Sequence, residues 1–325
     1  MSYVSPGRDP RRPRRDRRPG GARRSLVVVL AVVVPAAVVA GIVWLVMSSS
    51  GDDGGRVAAD RAPGSGGAPP SASASKSSPP SKSEQHLPPT TRKPTGSKPP
   101  AGPLAGKVVV IDPGHNPGNS RHTAEINKQV GIGTNRKECD TTGTATNDGY
   151  PEAQFTLDVS RRLRKLLQDE GATVKLTQDG DRPWGPCVDE RAEIGNKAKA
   201  DAVVSVHADG APVGDRGFHV ILPAPVHAGD ADTRKIAAPS RDLGTRIAGR
   251  FVAVTGSAAS NYIGGGTGLD ERSDLGGLNL SKVPKVFIEC GNMRDPHDAA
   301  LVKSGDWRQK AARGISEGIM SFLEQ

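Results

Sequence analysis

The sequence predicts an α/β fold, a mainly parallel sheet flanked by helices, over residues 104–325. Two patterns lead there. Short β-branched runs such as VVVI at 108–111 and AVVSV at 202–206 are continuously apolar, as strands buried on both faces are. Between such runs lie segments whose apolar residues recur at spacings of three and four, the mark of helices packed on one side. Strands alternating with helices of about 10–20 residues imply crossover connections and therefore parallel pairing.

Taken in order, the first strand is 107–111, ended by Asp112-Pro113-Gly114. Residues 113–151 are rich in Gly, Asn and Thr and have no clear period. A loop of this length in a compact domain is usually functional or disordered. The next helix spans 152–170, with Phe155, Val159, Leu163, Leu166 and Leu167 on one face and Gly171 just past its end. A strand follows at 173–178, then a helix at 188–199 and the strand 202–206. Gly217–Leu222 and Lys285–Cys290 are two more strands, and 234–255 and 307–324 two more helices.

The segment before this domain is of another kind. Residues 26–47, LVVVLAVVVPAAVVAGIVWLVM, are 22 positions without a charge. At about 1.5 Å per residue they span the roughly 30 Å hydrocarbon core of a bilayer. Nine arginines in residues 1–24 place that flank in the cytoplasm by the positive-inside rule. The expectation is a basic tail over 1–25, a single-pass anchor over 26–47 and an extracytoplasmic C-terminal domain. The alternative is a signal peptide cleaved after Ala40, with the domain secreted. Residues 48–103 are dominated by Ser, Pro, Gly, Ala and Lys and cannot bury enough surface to offset their ordering entropy. They are expected to be a disordered linker.

The formal charge of +9 invites a nucleic-acid reading, but its distribution removes it. Residues 104–325 carry 28 basic and 29 acidic side chains, so the excess belongs to the tail and linker.

Two of the seven histidines carry the chemistry. His115 follows the first strand and His207 closes the strand 202–206. Both lie at carboxyl ends of strands, where open α/β sheets place their ligands. A lone histidine there is more often a hydrogen-bonded core residue; two at equivalent strand ends, beside Gly114 and Ala208, favour a metal. Glu152 opens the 152–170 helix after Pro151 and falls on its apolar face. The positive helix start would favour an acid there; a cation is the sharper explanation. Two imidazoles, one carboxylate and an open fourth position form the ligand set of a catalytic zinc centre. Glu289 interrupts the strand KVFIEC near its carboxyl end. It is either a general base for water at that centre or the partner of a salt bridge, with Arg272.

These residues stand in four ordered motifs: VVIDPGH ending at His115; Glu152 ahead of an amphipathic helix and GATVKLT at 171–177; Glu190-Arg191-Ala through Asn196 and Asp201 into SVHAD at 205–209; and VFIECGN at 286–292. From about 104 to 324 the chain resembles the zinc-dependent N-acetylmuramoyl-L-alanine amidases, which cut bacterial peptidoglycan, and most of all their actinobacterial members. The resemblance implies a twisted sheet, zinc on His115, Glu152 and His207, and Glu289 as catalytic acid/base. The substrate would be peptidoglycan, cut between N-acetylmuramic acid and L-alanine, with Arg272 and Asn292 as candidates for binding peptide or oxyanion. A wall peptidase on the same metal centre, or an inactive tethered wall-binding module, are the rival readings. The chain departs from the family at Asn116-Pro117-Gly118-Asn119 and at Cys290. Of three cysteines, Cys139 and Cys187 lie in irregular segments flanking the site and are the expected disulfide, leaving Cys290 a buried thiol in a strand.

Overall fold

The computed structural model describes residues 102–325; the tail and anchor, and the linker but for its last two residues, lie outside the described residues. Among the described residues no helix is long and apolar enough to cross a membrane.

Six strands form one sheet: β1 (Val108–Pro113), β2 (Thr173–Leu176), β3 (Ala202–Asp209), β4 (His219–Pro223), β5 (Leu269–Arg272) and β6 (Lys285–Asn292). Their order across the sheet is β2-β1-β3-β6-β4-β5. All pairings are parallel except β6 with β4. The expected mainly parallel sheet is therefore present, with one strand reversed. β3 and β6 are the longest, eight residues each, and occupy the centre.

Helices α1 (Glu152–Asp169), α3 (Ala237–Thr255) and α5 (Gly305–Leu323) cover one face. Phe155, Val159, Leu163 and Leu167 of α1 are all fully buried, as their spacing requires, against Val204, Val206 and Ile288 of the sheet. α2 (Val188–Lys197) covers the other face near β1, over a smaller cluster of Val110, Ala200 and Val203. α1 ends where Gly171 turns left-handed, φ 92°, and its amide closes onto the Gln168 carbonyl.

Three elements differ from expectation. The last helix starts at Gly305, because the Ser304 hydroxyl accepts the Trp307 amide and caps it there. A separate helix, α4 (Pro296–Lys303), precedes it, capped by Asp295 with Pro296 at its first position. β5 has no signature in the sequence: Leu269-Asp270-Glu271-Arg272 is a polar edge strand without an apolar run. The long loop folds as well; its hairpin of Gln129–Gly131 and Arg136–Glu138 stands beside the carboxyl edge of the sheet.

Candidate metal centre

β1 delivers His115 to that edge through Gly114. His115 is left-handed, φ 61°, a conformation costing a non-glycine residue on the order of 1–3 kcal/mol. Its carbonyl is pinned by the Arg191 guanidinium at 2.9 Å and the Gln178 amide at 3.1 Å. Its Nδ1 lies 3.1 Å from the Thr141 carbonyl, which can only accept, so Nδ1 carries the hydrogen. Nε2 is left as the donor atom for a cation. Gly114 must be glycine, since a Cβ there would stand 2.3 Å from the His207 ring.

Glu152 occupies the first position of α1 and is 4 % exposed. The Thr144 amide donates to Oε2 at 2.9 Å and the Ala208 amide to Oε1 at 3.2 Å. Each oxygen also faces one imidazole: Oε2 is 3.1 Å from His115 Nε2, and Oε1 is 3.0 Å from His207 Nδ1. Burial would raise the Glu152 carboxyl, but the two histidines hold it well below the usual carboxylate range. Burial likewise disfavours charge on His115, and Glu152 with Asp140 overcomes this, raising it to about 10. A cation binding here displaces that proton.

His207 comes from the middle of the sheet. Its ring lies nearly parallel to Phe287, 13° between planes and 5.2 Å between centroids. The Ser205 hydroxyl donates to Asp112 Oδ2 at 2.9 Å and sits 3.2 Å from His207 Nε2. With its hydrogen committed to Asp112, Ser205 accepts from Nε2–H, which leaves Nδ1 facing Glu152 and His115. One ligand atom each from His115, Glu152 and His207 lie within 4.8 Å of one another.

β6 places Glu289 directly opposite His207 in parallel register, so both side chains leave the same face of the sheet. Its Oε2 is buried with no hydrogen-bond partner. Burial, then the Glu152 and Asp209 carboxylates, push the Glu289 carboxyl well above its ordinary value. The residues suit a divalent cation on three counts. The donor set is two imidazoles and a carboxylate. A buried carboxylate oxygen beside it lacks a partner. Gly143, φ 75°, leaves open the space where a Cβ would crowd His115 at 2.7 Å and Glu152 at 2.8 Å.

Two residues singled out in the sequence are held by neighbours close by. Arg272 does not pair with Glu289; its guanidinium makes two 2.8 Å bonds to Asp274, two residues on. Asn292 is fully buried. Its amide donates to the carbonyls of Ala211, Pro212 and Asp215 and its oxygen accepts the Arg294 amide, so it clamps a turn. Cys139 and Cys187 do form a disulfide, and Cys290 is a free, buried thiol. Beside the centre a cavity of about 260 Å³ runs between the hairpin and the 274–277 segment, walled by Lys137, Glu138, Asp274, Leu275 and Phe287. Asp112, Asp140, Ser205 and Arg191 also line it, a role that the sequence alone does not assign to them. The available signal was Asp112 closing an apolar strand and Lys285 opening another, two charges at positions that burial penalises.

The fold and the site have known counterparts. The N-acetylmuramoyl-L-alanine amidase family matches residues 109–321. An N-acetylmuramoyl-L-alanine amidase of Mycobacterium tuberculosis is 43 % identical over 225 residues, covering 68 % of this chain and 88 % of that protein. Crystal structures of the amidase Ami1 align with a TM-score of 0.62 in both of two cases. The Mycobacterium smegmatis protein is 42 % identical, with 68 % of this chain and 98 % of that one covered. The Mycobacterium abscessus apo form is 41 % identical, with 68 % and 100 % covered. With two histidines and a glutamate converged at the strand ends of this sheet, and such relatives over the whole described domain, the chain belongs to the N-acetylmuramoyl-L-alanine amidase family.

Proposed function

We propose that this protein hydrolyses the amide between N-acetylmuramic acid and L-alanine in peptidoglycan, with zinc held by His115, Glu152 and His207 and with Glu289 as acid/base. The observation that carries the reading is the register of Glu289 with His207, which sets an unpartnered carboxylate oxygen beside a three-ligand cluster. Zinc on such a ligand set lowers the pKa of water toward about 7 and polarises a carbonyl.

The protein's own groups account for the rest. Glu289 takes the proton from the attacking water and returns it to the nitrogen of the leaving L-alanine. Its raised affinity for a proton suits both halves of that task. Thr144 and Ala208 hold Glu152 so that each oxygen meets one imidazole. The cavity beside Phe287 receives the chain next to the scissile bond. Mass spectrometry of peptidoglycan digested by the purified protein should show free stem peptides that begin with L-alanine. Cleavage inside the stem, with the muramyl amide intact, would identify a peptidase instead.

We further propose that residues 26–47 anchor the chain with the catalytic domain outside the cell membrane. The uncharged run and its arginine-rich flank support this, and the Cys139–Cys187 disulfide suits an oxidising compartment. Full-length protein should fractionate with membranes and lose its domain to external protease. A soluble form beginning near Gly41 would mean a cleaved signal.

A further inference from the structure

Arg191 lies outside the ligand set, 4 % exposed, at the start of α2. All five of its N–H groups are used. Nε donates to the Pro186 carbonyl at 2.9 Å. Nη1 donates to Asp112 Oδ1 at 2.8 Å and to the Pro113 carbonyl at 2.7 Å. Nη2 donates to the His115 carbonyl and to Asp140 Oδ2, both at 2.9 Å.

Each carboxylate backs a different histidine. Asp112 also accepts the Ser205 hydroxyl, the Thr177 hydroxyl at 2.7 Å and Lys285 Nζ at 3.2 Å. Through Ser205 it fixes the hydrogen on His207 Nε2. Asp140 accepts the Asn119 amide at 3.0 Å and the Thr141 backbone amide at 2.8 Å. It thereby seats the Thr141 carbonyl that holds His115 Nδ1–H. Two carboxylates and two cations balance, so the cluster adds no net charge beneath the metal ligands; what it supplies is direction.

We propose that Arg191 is a positioning residue for the metal centre, one guanidinium setting the outer hydrogen bonds of both histidine ligands. The inference rests on the proposed metal site and extends it to a residue that touches neither metal nor substrate. A lysine cannot replace it, because a compact ammonium cannot span two carboxylates and three carbonyls in a planar fork.

The test compares full-length wild type, Arg191→Lys and Ser205→Ala, each stripped of metal and reloaded. Zinc affinity is measured by competition with a chromophoric chelator, and the cobalt(II)-loaded forms are examined by visible absorption. Loss of an outer hydrogen-bonding partner typically costs 10–100-fold in metal affinity. Arg191→Lys should weaken zinc binding by about that factor and alter the cobalt bands, which a residue supporting only the fold would leave unchanged. A folded Arg191→Lys protein with wild-type affinity and spectrum overturns the proposal. If Arg191→Lys does not fold, Ser205→Ala decides, since it cuts only the link from Asp112 to His207. Weakened zinc binding there supports the relay, and wild-type binding overturns it. Wild-type protein that takes up no zinc would refute the metal centre itself, a different result from variants that match it.

Discussion

Glu289 stands opposite His207 across two parallel strands, and its buried Oε2 has no protein partner. An unpaired carboxylate at such a place is costly to keep unless the reaction uses it. Glu289→Gln keeps the size and removes the basicity. Zinc content and folding should survive, while turnover on peptidoglycan falls by about 10²–10⁴-fold, the usual contribution of a positioned proton-transfer group. Wild-type turnover in a zinc-loaded Glu289→Gln protein would move the assignment to another carboxylate, Glu138 in the cavity wall being the first to test.

Glu152→Gln should act on the metal first. It removes the anionic donor that faces both imidazoles at 3.0 and 3.1 Å. Equilibrium dialysis should show weaker zinc retention than in Glu289→Gln. Chelator treatment of wild type should abolish activity, and added zinc should restore it.

The disulfide joins the loop carrying Asp140 and Thr141 to the residue before α2, which carries Arg191. It closes a span of 48 residues. Cross-links of this kind stabilise by about 2–4 kcal/mol. The Cys139→Ser, Cys187→Ser double variant should lose about that much in denaturant unfolding and release zinc more readily. Unchanged midpoints in both assays would remove the disulfide from any account of the site.

Acid should weaken the fold through Asp112. Burial alone would raise its carboxyl, but Lys285 and Arg191 hold it far below the ordinary range. A group depressed in the folded state stabilises fully above its unfolded pKa of about 3.9, and the benefit is lost as pH falls below that value. Thermal midpoints measured from pH 6 down to pH 2 should therefore drop more steeply in wild type than in Asp112→Asn. Parallel curves would show that other carboxylates dominate.

Gly143→Ala places a methyl group 2.7 Å from the His115 ring and 2.8 Å from Glu152 Oε2, at a backbone angle that L residues avoid. Reduced zinc affinity is expected together with a lower melting temperature. A variant that binds zinc normally would mean that the 141–144 segment yields without moving the ligands.

Much of this architecture is local information. Val108–Ile111 and Ala202–Val206 are strands because unbroken β-branched runs suit a sheet covered on both faces, and α1 is a helix because Phe155, Val159, Leu163 and Leu167 form one stripe. His115, His207, Glu152 and Glu289 could be named because each sits at a strand end or helix start, where the period of the element fixes which way the side chain leaves. The Cys139–Cys187 pair followed from where regular structure stops. What packing alone decided is which charge meets which. Arg191 and Asp112 are 79 residues apart, Lys285 and Asp112 173, and no spacing rule connects them. Arg272 and Asn292 stand near the site in sequence, yet Asp274 and the 211–215 turn claim their hydrogen bonds first. β4 runs against β6, and the polar β5 is a strand only because β4 offers it an edge. Periodicity records how one element meets water and core, whereas the partner of a buried charge is fixed only when distant elements close around it and leave it no water.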